Sequence, residues 1–363
     1  SVKKKMVNDK FIGLGGFLWF SGVVEDRNDP NKVGRVRVRA LGHHTSNKTI
    51  LPTADLPWAH TMLPSTSAGI SGLGQSATGL VEGSWVLGYF RDGNERQEMI
   101  IMGTLPGVPA ELSQSSGFYD PNGIYPKYKD EPDTNRLAVN NIDKPHLANT
   151  LRTATRITGI ATADFNAFPN ADGSSVIASD GDTFDQPAIP YNASYPYNNV
   201  FESESGHLME YDDTLSNERI HQRHRTGTSY EIDSQGNKVE IIKGESYRLL
   251  SNKEQVQITG NSDITIDGRH KLYINKSNTA NNHYDIQIGA GASINIQVDS
   301  GDVNIHTIQG KINMNAGGDY NLKVGGNYTV EVAGNTLETI EGTKTSNTTG
   351  AVTHRGSTID LNP

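Results

Sequence analysis

Few residues in this 363-residue chain are of types and spacings that do chemistry. Histidines come first, because imidazole binds metals and moves protons near neutral pH. His43-His44, His221-x-x-His224, His306 and His354 are the candidates. His354 stands nine residues from the end, where three copies on one axis would make a three-ligand site, which singles it out as a metal candidate. The bland alternative is a solvated surface imidazole in every case. Glu202 with Glu204, and Asp212 with Asp213, are the carboxylate pairs that a glycosidase would need. No helix or cleft pattern surrounds them, and they read as solvated residues at the ends of strands. Arg35, Arg37 and Arg39 alternate along one segment. They are a basic stripe for nucleic acid or a protein partner, or simply the wet side of a half-buried strand. The expectation is therefore no catalytic residue, no bound cofactor, no metal and no nucleic acid, with structural ions or waters on a symmetry axis left open.

The elements that position these residues fall into three zones. Trp19, Trp58 and Trp85 are the only tryptophans, all in the first 90 residues, and of 15 prolines only Pro363 lies beyond Pro196. In the first zone, residues 17–26, 33–41, 57–62, 84–90 and 99–103 alternate apolar and polar residues as short strands do. Asp92-Gly93 sits in a charged turn between the last two, which signals a hairpin. Four or five short antiparallel strands in about 90 residues suggest a small barrel, with 65–79 as a Ser/Gly-rich surface loop. Residues 107–198 are turn-rich, have weak periodicity and include one faint helical stretch at 148–162; they read as an extended linker that wraps on neighbours.

The third zone repeats. Gly310, Gly318, Gly326, Gly334, Gly342 and Gly350 are spaced by eight without a gap, and Gly236, Gly244, Gly260 and Gly268 share the period. Asn252 and Lys276 fill the two missing slots. The two sets differ in phase by two residues, and the slip falls within 277–301, where an interruption of the regular repeat is expected. Between glycines the residues alternate, so that Tyr328, Val330 and Val332 share one face. Glycine would allow a corner with φ > 0. Eight residues make one strand and one corner, too few for a single-chain coil. Three chains wound on a common axis would bury the apolar face and pair the strand edges.

Composition sets outer bounds. The net charge of −9 argues against nucleic acid as the main partner. The absence of cysteine excludes disulfides and thiolate metal sites. A mean hydropathy of −0.53 with 38 glycines is lean for one large core and suits an elongated chain. No apolar run reaches the ~18 residues that a spanning helix needs, and the basic start SVKKKMVNDKF lacks the apolar stretch of a signal peptide. Synthesis in a cytoplasm is expected, with delivery outside by an assembly.

The octads, the stretch 199–232, and the segments VGRVRVRALG (33–42) and EGSWVLGYFRDGNERQEMIIMGTLPG (82–107) together resemble the central spike proteins of contractile phage tails, of T-even-like type, and the related VgrG spikes of type VI secretion. The resemblance implies an all-β chain: an N-terminal arm (1–14), an OB-fold barrel (15–106), a linker (107–198), a lead-in (199–235), an intertwined triple-stranded β-helix (236–356) and a tip (357–363). It further implies a homotrimer in the tail baseplate of a virion. The OB domain would dock on a hub trimer, a PAAR-type protein would sit on the tip, and the host outer membrane would be met mechanically. The roughly 90-residue interval before the β-helix is too short for the muramidase domain that some relatives carry, so lysozyme activity is not implied. The alternatives are a VgrG-like spike of another contractile injection system, or a tailspike that binds or depolymerises polysaccharide.

Overall fold

A computed structural model describes residues 17–115, 118–141, 189–274 and 283–360. The faint helical stretch at 148–162, the arm 1–14 and the last three residues of the tip lie outside them.

The chain folds as all-β, with strands where the alternation predicts them in the first zone. Five form a closed barrel: β1 (Leu18–Asp26), β2 (Val36–Ala40), β3 (Trp58–Thr61), β4 (Trp85–Phe90) and β5 (Met99–Thr104). Their spatial order is β1-β2-β3-β5-β4, closing β4 back on β1, and only the β3–β5 pairing is parallel. That is an OB-type barrel. The turn through Asp92-Gly93 joins β4 and β5 as an antiparallel hairpin, with Gly93 and Arg96 in the left-handed region. Phe20, Val24, Val38, Ala59, Val86 and Met99 fill the barrel interior. Two glycines let the strands approach: a Cβ on Gly22 would lie 2.6 Å from the Arg39 carbonyl oxygen, and one on Gly88 would clash with that of Ile100.

Five more strands form a second, antiparallel sheet: β6 (Asn198–Glu202), β7 (Leu208–Asp212), β8 (Arg219–Arg223), β9 (Ser229–Ile232) and β10 (Lys238–Ile241), paired in sequence order. The lead-in is thus a folded meander. Described parts of the linker pack on it within the same chain. Leu137 and Leu208 form a small core with Tyr191 and Val200, and the Tyr191 hydroxyl donates to the Leu137 carbonyl at 2.8 Å. Buried Arg136 pairs with Glu131 and stacks on Tyr128.

From 242 to 360 every described residue is exposed in the single chain. The backbone bends at each octad glycine from Gly244 onward and also at Asn252. Left-handed corners are not the reason. Of the ten repeat glycines only Gly236 has a positive φ, at 84°. Among the described residues, no helix is long and apolar enough to cross a membrane.

Candidate functional site

The arginine stripe is built into the barrel rather than offered to a partner. Arg39 and Glu25 are both fully buried. Arg39 donates from Nε and Nη2 to the carboxylate at 2.7 and 2.9 Å, and to the Thr45 and Leu51 carbonyls at 2.7 and 2.9 Å. The Thr53 hydroxyl completes the Glu25 shell at 2.8 Å. Arg35 pairs with Asp29 at 2.7 Å, and that guanidinium holds the Asp29 carboxyl well below the usual carboxylate range. Arg37 lies 4.4 Å over the Trp58 ring, 3.6 Å from Asp26, and donates to the Leu56 carbonyl. The reading of a solvated basic face is therefore corrected. Alternation persists, but carboxylates from β1 and the following loop consume the charge.

What the barrel does expose is aromatic. Phe17, Trp19 and Tyr89 cluster with ring centroids 5.4–5.9 Å apart. Phe17 and Trp19 are about half exposed, and Leu87 and Met102 also reach the surface.

The carboxylate pairs do not meet as acid and base. Glu202 accepts from Asn135 at 2.7 Å. Glu204 is clamped by Arg27 at 3.0 Å and by the Tyr125 hydroxyl at 2.7 Å. The Arg27 and Tyr125 hydrogen bonds bring its pKa down to about 2. Asp212 is buried and accepts from the Thr214 amide at 2.9 Å, while Asp213 is exposed.

The histidines also separate. His44 Nδ1 accepts from the Ala40 amide at 3.0 Å, and burial pushes its pKa down. His43 packs edge-on against Phe90. His306 and His354 stand exposed on the octad segment. His224 stacks with His207 at 4.5 Å. Among the described residues, no group of three His, Cys, Asp or Glu could hold a metal ion.

His221 belongs to a cluster that sequence reasoning misses. Glu210 and Arg219, neither with any side-chain exposure, pair at 2.6 Å across β7 and β8, with Asn198 donating to Glu210 at 2.8 Å. Glu231 on β9 takes a second Arg219 hydrogen bond at 2.9 Å, and the Tyr191 ring covers the guanidinium. Burial alone would raise the Glu210 carboxyl, but His221, Arg219 and Asn198 hold it below its usual value. Burial lowers the His221 pKa and raises that of Glu231. The cluster is an ionic core whose carboxylates are paired, not an open site.

The octads present an apolar surface in the single chain. Ile258, Ile266, Val324, Val332 and Ile340, each two residues before a glycine, are 45–56% exposed in the single chain. Apolar residues keep to even positions through Val256, Ile264, Ile286, Ile294 and Val298, switch to odd at Val303 and Ile305, then return at Ile308, Ile312 and Leu322. The parity of the apolar residues changes twice, between Val298 and Val303 and between Ile305 and Ile308, the second change lying beyond the 277–301 stretch in which the sequence reading puts the phase slip. A one-residue offset turns the face over and a second restores it, as paired β-bulges do. Gly301, at φ 121°, lies at the first.

Residues 41–191 match the family model described as the Gp5 N-terminal OB domain, which takes in β3, β4, β5 and the segment after them. The chain is 39% identical over 298 residues to Protein Gp5 of Vibrio phage KVP40, a match covering 74% of this chain and 68% of that protein. It is 46% identical over 115 residues to the pre-baseplate central spike protein Gp5 of Enterobacteria phage T4, covering 30% of this chain and 20% of that protein. The chain belongs to the Gp5 family of phage proteins, whose T4 member is named a central spike.

Proposed function

We propose that this chain is the central spike of a contractile phage tail baseplate, a parallel homotrimer driven through the host outer envelope by sheath contraction. The observation that carries the reading is the apolar octad face, exposed along more than a hundred residues of the single chain. A surface of that size marks an interface. The octad glycines support the same arrangement. At Gly244, Gly260, Gly268, Gly318, Gly326, Gly334, Gly342 and Gly350, neither a positive φ nor any atom of the same chain within 4 Å demands glycine. Close approach of a neighbouring chain would demand it.

In this reading residues 15–106 are the docking barrel, 236–356 the rod and 357–363 the tip that takes a small cap protein. The aromatic cluster Phe17–Trp19–Tyr89 is the barrel surface that meets the hub, because exposed aromatics are the usual anchors of protein interfaces. The rod works mechanically. Three chains wound together unfold slowly, since all must part at once, and resistance to force is governed by the unfolding rate. No catalytic role is assigned: Glu204, Glu202 and Asp212 are held by Arg27 and Tyr125, by Asn135 and by the Thr214 amide respectively. A sugar-release assay on purified host envelope tests this, with release at the level of a no-protein control expected. Turnover of glycan would overturn the mechanical reading.

A further inference from the structure

At one end of the second sheet, β7 and β8 bring two imidazoles together. Leu208 opposes Arg223 in the antiparallel ladder, and one step further His207 faces His224. Their ring centroids lie 4.5 Å apart, with the planes tilted by 42°. Each residue sits at the base of a tight turn that fixes its backbone. The Ser203 amide donates to the His207 carbonyl at 2.9 Å, and the Ser203 hydroxyl accepts from the His207 amide at 3.0 Å. Across from it, the His224 amide donates to the Thr228 carbonyl at 2.8 Å, and Gly227 turns the chain at φ 105°. The His224 ring is held by one edge, its Nδ1 lying 2.8 Å from the Thr226 hydroxyl and 3.3 Å from the Thr226 amide. That leaves the Nε2 edge for a ligand.

We propose that His207 and His224 together chelate one divalent ion of the zinc, copper and nickel class, a site that clips the end of β7 to the end of β8. Imidazole is a preferred ligand of these ions. Two nitrogens on one tetrahedral zinc ion, each bound at ~2.0–2.1 Å, stand roughly 3.3 Å apart, a span that rings with centroids 4.5 Å apart can meet. A neutral imidazole bound through Nε2 carries its proton on Nδ1. The Thr226 hydroxyl is placed to accept that proton, which fixes both tautomer and ring. Two protein ligands leave two positions of a tetrahedron open. The pair lines a cleft with Gln222, Ser229 and Glu240, and His224 is exposed, so water or a neighbouring oxygen can fill them. The site is built by a single chain and does not rest on the trimer reading. Sequence spacing hides it, because the two histidines meet only through the register of β7 on β8.

The test is a calorimetric titration of the full chain with zinc at slightly alkaline pH, where imidazole is neutral and free to bind. His207→Ala and His224→Ala are titrated beside it. One ion per chain is expected at this site, with affinity lower by at least about 10-fold in each variant. His354→Ala, which removes an exposed imidazole far along the sequence from the sheet, should leave the site intact. Zinc should also raise the melting temperature of the intact chain more than that of either sheet variant, as a ligand of the folded state does. A chain that takes up no zinc, or one whose zinc affinity survives either His207→Ala or His224→Ala, overturns the site.

Discussion

The barrel and the octad segment solve the same problem in opposite ways. In the barrel, Phe20, Val38, Val86 and Met99 are buried by strands of their own chain, and even Arg39 finds Glu25 there. In the octads, Val324, Val330 and Val332 have the same alternation but remain about half exposed in their own chain. The glycines differ likewise. Gly88 is required by a carbonyl of the neighbouring strand, whereas a Cβ on Gly326 meets nothing. The lesson is that a strand pattern specifies a buried face but not which chain buries it.

The contrast can be broken most sharply at Val332. Val332→Asp would place three carboxylates against one another in the rod, so loss of the trimer is expected in light scattering. Barrel melting, followed by tryptophan fluorescence, should be unchanged, since Trp19, Trp58 and Trp85 all lie in the barrel segment. Arg39→Ala should do the reverse. It leaves Glu25 buried without its partner, and a barrel destabilisation of about 3–5 kcal/mol is expected in a denaturant melt. A pair of glycine substitutions sharpens the comparison. Gly88→Ala should lower the stability of the barrel by about 1–3 kcal/mol through overpacking, while Gly326→Ala should leave the barrel melt unchanged and lower only the temperature at which the trimer dissociates.

The sheet gives a smaller, pH-dependent effect. Burial lowers the His221 pKa among Glu210, Arg219 and Arg223. Below its ordinary value of about 6.5 the unfolded chain takes up a proton that the folded chain refuses, so stability falls as pH drops from there. Glu231, raised by burial, acts in the opposite sense, gaining stability as pH falls. His221→Gln should flatten the loss as pH falls below about 6.5, which pH-resolved melts would show, by at most about 1.4 kcal/mol per unit. The smallest effect is expected at the exposed Glu204 clamp. Glu204→Gln should cost no more than about 1 kcal/mol at neutral pH, and the difference should shrink as pH falls from about 4.5 towards 2.

Much of this can be read from the sequence, and the failures share a cause. The barrel strands and the octads announce themselves by alternation, which depends only on neighbours along the chain. Alternation misreads Arg39 because its partner Glu25 lies on the adjacent strand, where Val24 opposes Val38. It misses the second sheet because Glu210, Arg219, His221 and Arg223 lie on its buried face beside Leu208 and Ile241, while Phe201, Met209 and Tyr211 are exposed, so the strands lack a clean apolar alternation. It misjudges the glycine corners for a related reason: in the single chain nothing local requires glycine at those bends.

The most direct test of the central claim is the mass of the intact protein by light scattering, with gel migration in SDS before and after boiling. The account predicts the mass of three 39.4 kDa chains and an SDS-resistant band that collapses to the single chain on boiling. A 39.4 kDa particle with one band under both conditions would contradict it.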